Sequence, residues 1–434
     1  MSIIPALTIT VMATLSIGNW FFYDTDMPRY DKFRFEELVV VGTNIVAVGY
    51  VEDALPSGGD NRLFTLREYS FSGLTATREW YFNYNGGQWD DDGFAITEYR
   101  TNDTPPEMGY IGVGFHQVDL TNIPPQSTAE SGLALVLNDE GDTVYTLHTF
   151  RGIWEDACSK DVAYIGDLGA NEEVYATSGW FADNSWTMRG FIEVAYGATE
   201  IALIEDSSID GSWENILHDS VEDLLVIGGF QEPDQDGFGD LRVGAIDLST
   251  TPHSINEQDD WSYGTYLFLE GPLVFLENGL YACMGNGTNT SGVGGVALTL
   301  WSWDTSQRPY LSCEDDEVYT DDDEFDDYKS VSVFAAEFDD STDPEAIVMV
   351  LEAITDDQNE DYCILIARVQ VDPDNMTLGS LTVTSSLEVT PESGYTLGAR
   401  DFYFTQINPV EGYGCGSAVS SSLQKFWIFE IEDN

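Results

Sequence analysis

Basic residues are scarce in this sequence. Against 77 Asp and Glu, the 434-residue chain has 16 Lys and Arg, for a formal charge of −61. Only four are lysines: Lys32, Lys160, Lys329 and Lys425. Such a polyanion cannot neutralise phosphates, so nucleic acid is excluded as a partner, and an anionic membrane surface with it. The five cysteines (Cys158, Cys283, Cys313, Cys363, Cys415) are odd in number and scattered, without a CxxC pair. That excludes a disulfide framework and a thiolate zinc site. No run approaches the roughly 20 apolar residues of a spanning helix, so no membrane insertion is expected. Residues 1–19 carry no charge, yet no basic segment precedes their apolar stretch, the first cation being Arg29. The expectation is a chain without a conventional export signal. The four histidines (His116, His148, His218, His253) have no HExxH spacing, and no GxSxG elbow, P-loop or GxGxxG is found. No catalytic residue emerges from the sequence.

What is present is a repeat. Leu38–Val51 (LVVVGTNIVAVGYV) reads as an apolar strand, a Gly-Thr-Asn turn, and a second strand ending on Gly49-Tyr50. The second half recurs as MGYIGVGF ending at Gly114-Phe115, VYATSGW at Gly179-Trp180 and LLVIGGF at Gly229-Phe230. Worn copies lie at Leu280–Gly285, Ile347–Leu351 and Tyr413–Val419. One strand unit returning at a spacing of roughly 50–65 residues is the mark of a radial β-repeat. The predicted fold is all-β: a single seven-bladed β-propeller over 1–434. Its blades are expected at 35–81, 94–150, 158–205, 213–260, 266–313, 330–387 and 399–431.

The seventh blade is one strand short. Upstream, Leu7, Ile9, Val11, Ala13, Leu15 and Ile17 alternate with Thr8, Thr10, Met12, Thr14 and Ser16, a period of two that reads as a strand. If 7–17 pairs beside Lys425–Ile431, it closes the ring and removes two exposed edges. The alternative is that it adds to the sheet of another protein.

Phe35–Tyr81 resembles the delta-sixty type of propeller repeat, a likeness of architecture rather than activity. Glu232–Ala245 (EPDQDGFGDLRVGA) resembles the calcium loop of FG-GAP and integrin-type propellers. That resemblance implies a calcium ion held by the carboxylates of Glu232, Asp234, Asp236 and Asp240 and the carbonyl of Phe238, with Gly237 making the turn. The sequence departs from the pattern in placing Glu at the first ligand position. Elsewhere, Trp89 with Asp90, Trp186, and Trp261 with Tyr263 set aromatics beside acids or amides in long loops. Such residues stack on sugar rings and anchor interfaces; the same tryptophans would equally serve as core at blade joints.

The acid-rich, lysine-poor composition resembles that of proteins from extreme halophiles, in which molar salt shortens the Debye length to about 3 Å. Missing enzyme motifs and aromatic loops point to a non-enzymatic binding or structural module. Fold and composition together resemble the propeller-bearing tail, fibre or spike proteins of haloarchaeal viruses. That resemblance implies host attachment, through a host-surface glycan or protein receptor or through contact with neighbouring virion subunits, with homo-oligomerisation allowed. The localisation it implies is the virion; a secreted or cell-surface haloarchaeal adhesin is the alternative. A propeller glycoside hydrolase or lyase is the alternative activity, and two carboxylates converging in a central pocket would favour it.

The calcium loop is directly testable. A single site at a hundredfold excess over its Kd contributes about 2.7 kcal/mol, so calcium should raise Tm by a few degrees and Asp236→Ala should abolish the rise. Identical melts with calcium and with chelator would remove the site.

Overall fold

The computed structural model describes residues 15–433 with interruptions, the longest at 22–29, 120–127, 150–155, 232–239 and 305–310. No helix occurs among the described residues, and the strands form seven separate antiparallel sheets. Each sheet is a blade, its strands running A to D outward from the axis. The innermost A strands are Tyr30–Val41, Asp91–Arg100, Asp156–Leu168, Gly211–Asp219, Tyr328–Asp339 and Thr396–Gln406 in blades 1 to 4, 6 and 7. In blade 5 the A strand is broken into Leu267–Phe268 and Leu273–Phe275, both paired with Leu280–Thr288. Successive A strands touch around a closed circle. The architecture is therefore the expected seven-bladed propeller.

Ring closure by an N-terminal strand also occurs as expected. Leu15–Phe21 pairs antiparallel with Gln424–Asp433, in register from Leu15↔Asp433 to Phe21↔Trp427. It supplies the D strand of blade 7, whose A, B and C strands are Thr396–Gln406, Glu411–Val419 and Gln424–Asp433. Of the alternating segment that begins at Leu7, Leu15–Ile17 lies in this strand, and residues 1–14 lie outside the described residues. The pairing continues into Gly18–Phe21, where the strict alternation of the sequence has already ceased.

The B strands are the most buried part of each blade. Val46, Val48, Ile111, Val113, Val226, Ile227, Val348 and Val350 are all essentially inaccessible. Both faces of a middle strand are covered by neighbouring blades, so these segments read as continuous apolar runs rather than as alternating ones. The cores lie between blades. Val46, Val48, Phe64 and Leu66 of blade 1 pack on Ile96, Leu133, Leu135 and Leu137 of blade 2, and the pattern repeats around the ring. The cysteines are free thiols, and all but the half-buried Cys313 are buried, as small apolar residues would be.

Polar latches reinforce the joints. Asp401 accepts the Leu38 N–H at 3.0 Å, joining blade 7 to blade 1. Glu37 accepts from Ile96 at 2.9 Å and Asp161 from Ile216 at 2.8 Å. The Asn215 amide donates to the Gly271 carbonyl, the Val333 N–H to Asn286, and the Ala399 N–H to Glu352. Blades 2 and 3 are joined by the Glu130 N–H on Asp156. Every seam of the ring thus carries a side chain that satisfies backbone of the adjoining blade.

Deleting residues 1–21 removes the D strand of blade 7 and exposes the edge of Gln424–Asp433. Loss of several kcal/mol should lower Tm by roughly 5 °C or more; an unchanged melting curve would show that the ring does not depend on this strand.

Candidate functional site

The A strands share one irregularity. In six of the seven blades the A–B ladder skips one residue on the A strand: Phe35/Glu37, Gly93/Ala95, Ser159/Asp161, Trp213/Asn215, Val333/Ala335 and Ala399/Asp401. These are β-bulges, each with an extra residue and a local bend. The extra residues are Glu36, Phe94, Lys160, Glu214, Phe334 and Arg400. All six line the same two connected hollows on the propeller axis, one of about 300 Å³ and one of about 470 Å³. Blade 5, where the A strand is broken, contributes Gly271 and Pro272 at the same level. The bulge ring is the waist of the channel. One lobe adds Arg34, Ser332 and Glu352, and the other adds Glu37, Thr97, Asp161, Asp401 and Tyr403.

The repeated glycine explains how the bulges form. Gly49, Gly114, Gly179, Gly229 and Gly416 stand opposite the first residue of each bulge. A Cβ at any of them would lie 1.9–2.1 Å from an A-strand carbonyl oxygen, that of Arg34, Asp92, Cys158, Ser212 or Gly398 respectively. No side chain fits there, so the position is restricted to glycine. In blade 6 the facing residue is Leu351, and the bulge forms without the glycine.

Charges around the ring are ordered. Glu36 is gripped by Arg34, whose Nε lies against one carboxylate oxygen while Nη2 donates to the other at 3.0 Å. Arg400 approaches the same carboxylate more loosely, Nε at 3.8 Å. Lys160 sits with Nζ 3.8 Å from Glu214 and 4.4 Å from the centre of the Phe94 ring, a cation–π contact. Burial raises the Glu36 carboxyl, with Arg34 and Arg400 opposing. Asp92, buried at the blade 1–2 seam, is pushed up to about 8 by burial and by the Glu36 charge, against Arg62 and Arg34. The seam carboxyls rise too. Asp161 reaches about 7 and Asp401 about 6, burial leading in each case. Glu37 goes well above its ordinary range through burial and the Asp161 and Asp401 charges.

Trp89, Trp186 and Tyr263 fall outside the described residues, as do Glu232, Asp234, Asp236 and Phe238 of the calcium-type loop. Asp240 begins the strand Asp240–Asp247 and pairs with Gln231, so the loop is a B–C connection of blade 4; Trp261 ends the D strand Glu257–Trp261. Among the described residues no group of three or more His, Cys, Asp or Glu is arranged around a metal. Asp90 takes part in a seam network. It accepts the Arg62 N–H at 3.0 Å and donates its own N–H to Gln117 at 3.2 Å. Two of the dispersed histidines come together. His116 Nδ1 lies 2.6 Å from Asp91, His148 Nε2 lies 3.2 Å from the Tyr84 hydroxyl, and the two imidazoles are 5.4 Å apart. Burial and His116 lower the His148 imidazole.

The seam carboxyls generate a pH dependence. A carboxyl raised in the folded state stabilises fully below its unfolded value and loses that contribution as pH rises through its folded value. Tm should therefore fall between about pH 4 and pH 7 as Asp401 and Asp161 ionise. An amide at 161 can accept the Ile216 N–H without ionising, though it cannot also accept the Val162 N–H as the second carboxylate oxygen does. Asp161→Asn should accordingly shallow the fall, so that its Tm relative to wild type is higher at pH 7 than at pH 4; an equal shift at both pH values would refute the assignment.

No family model matches the chain, and no curated protein sequence matches it. Among solved structures it is similar to an α-L-arabinofuranosidase from Fusarium graminearum in complex with an iminosugar inhibitor, at 9% identity over 79% of this chain and 93% of that one, TM-score 0.41. It is similar to a neuraminidase-like protein of A/flat-faced bat/Peru at 8% identity over 98% and 95%, TM-score 0.36. It is also similar to a xylan β-1,4-xylosidase from Bacillus halodurans at 9% identity over 94% and 96%, TM-score 0.31. At such identities and scores these likenesses carry no argument about what the channel does; that rests on its residues.

Proposed function

We propose that this chain is a glycan-binding propeller whose ligand sits on the bulge ring of the central channel. One observation carries the reading. Six blades deliver their extra residue to one hollow, and those residues combine two phenyl rings with two carboxylates and two cations. Sugars present apolar C–H faces and a rim of hydroxyls, so stacking surfaces interleaved with charged hydrogen-bonding groups suit them. A cavity of 300–470 Å³ is the size that holds a small ligand. The extreme acidity and the propeller architecture support the further reading that the glycan belongs to a host surface, recognised in high salt by a protein of the virion.

A second reading has one observation in its favour. Glu36 and Glu214 face the same hollow from blades 1 and 4, and paired carboxylates flanking a sugar are what glycoside hydrolysis requires. In that case Glu36, whose carboxyl burial raises, would be the proton donor and Glu214 the second carboxylate.

A glycan array probed with the purified protein in molar salt tests the first reading. Phe94→Ala combined with Phe334→Ala should weaken binding about tenfold, since each lost aromatic contact is worth about 0.5–1.5 kcal/mol. A wild-type protein that captures no glycan, or a double variant that binds as well as wild type, would overturn it. Release of new reducing ends from captured glycans, lost in Glu36→Gln, would move the reading to hydrolysis.

A further inference from the structure

The bulge ring contains two cations that nothing in the fold requires. Lys160 is three-quarters buried, its side chain 25% exposed, yet its ammonium lies 3.8 Å from Glu214 and makes no hydrogen bond to any described residue. Burying part of a lysine without filling its three donors costs free energy unless something else fills them. Arg400 is more open, its side chain 41% exposed, and its nearest acidic oxygen is that of Glu36 at 3.8 Å, beyond hydrogen-bond reach. Glu36 does not need it, because Arg34 already grips both carboxylate oxygens. Lys160 and Arg400 therefore present unfilled donors to the same hollow from blades 3 and 7.

The rest of the chain makes this placement informative. With 16 Lys and Arg against 77 acids, cations are not here to solubilise a surface. Arg67 and Arg242 are fully buried, Arg67 donating to Thr65 and Arg242 pairing with Asp206 at 2.5 Å. Arg368 reaches Asp339 at 2.6 Å and the Ile407 carbonyl at 3.0 Å. Lys160 and Arg400 have no such structural work among the described residues. The acids near them are engaged in part: Glu352 accepts from both the Tyr362 hydroxyl and the Ala399 N–H, and Glu37, Asp161 and Asp401 latch blade seams. Glu214 keeps acceptors for ligand hydroxyls.

Taking the glycan-binding reading as its basis, we infer that the sugar held by the ring carries a carboxylate, as a hexuronic acid does, and that this group binds between Lys160 and Arg400. Hydrogen bonds from an ammonium or guanidinium to a carboxylate are about twice as strong as those between neutral partners. A neutral hexose offers only hydroxyls to the same donors. The carboxylate fills what is unfilled, and the hydroxyls meet Glu214 and Glu36.

Binding of a glucuronate-terminated oligosaccharide and its glucose-terminated counterpart, compared by calorimetry at one fixed ionic strength, tests this. The wild type should bind the uronate at least tenfold more tightly. Lys160→Met, which keeps the apolar stem, and Arg400→Gln should each weaken the uronate at least several-fold more than the neutral sugar, bringing the two affinities together. Lys160→Arg should retain the preference, separating loss of charge from loss of fold. Equal binding of the two sugars by wild type, or an undiminished preference in both neutralising variants, would overturn the acid subsite and leave the glycan reading standing. Failure of the wild type to bind either sugar or any arrayed glycan would overturn both.

Discussion

The close approach of two backbones is the constraint on which the channel depends. In five blades a glycine on the B strand lies so near an A-strand carbonyl that a single added carbon would overlap it. Because the chains meet there, the A strand can carry one more residue than its partner and bend at that point. The extra residue is displaced from the alternation that sends every other side chain into a blade–blade joint. It faces the axis instead. A packing restriction in the second strand thus determines which residue of the first becomes accessible to a ligand, and the same device repeated around the ring gathers residues separated by hundreds of positions into one hollow.

The electrostatics follow from this division between joint and axis. Residues immediately after the bulge return to the joints, and there the chain places Glu37, Asp161, Asn215 and Asp401, each bonded to backbone of the next blade. Burial works against their ionisation, so the acids that join the blades resemble neutral hydrogen-bonding groups more than ordinary surface carboxylates. Most of the negative charge lies outside these positions. At the waist, two negative and two positive side chains alternate with two phenyl rings, so a molecule of strongly negative net charge surrounds a locally balanced site. Counterions that screen the outer surface at high salt leave short, partly buried contacts at the axis largely intact.

Much of the architecture was legible in the primary structure. Gly49-Tyr50, Gly114-Phe115, Gly179-Trp180 and Gly229-Phe230 marked the repeat, and apolar alternation near the N-terminus pointed to a missing strand. Among the described residues the closing strand is Leu15–Phe21, which runs past the end of the alternation at Ile17, because pairing is decided by which residues reach the edge of Gln424–Asp433 and not by alternation alone. The channel was not legible in the same way. A bulge changes the register by one residue and leaves no mark in hydrophobic periodicity, so Glu36, Lys160, Glu214 and Arg400 read as ordinary exposed strand residues. A signal did exist: each repeated glycine identifies a facing position on the preceding strand, and counting back across the turn from Gly49 arrives at Phe35-Glu36. The tryptophans of the long loops are by comparison conspicuous in composition. His116 and His148, dispersed in sequence, meet across the strand Thr128–Asn138, which pairs on one side with the strand of His116 and on the other with that of His148.

The composite last blade has a consequence for how the molecule comes into being. A chain made from its N-terminus must hold Leu15–Phe21 without a partner while six blades are synthesised and folded, since the edge that receives it is Gln424–Asp433. Until that late segment emerges, the nascent protein is an open arc with an unpaired strand at one end and an uncovered sheet edge at the other. Completion of the ring is therefore a single terminal event, and an arc that meets a second arc first has the means to exchange strands with it.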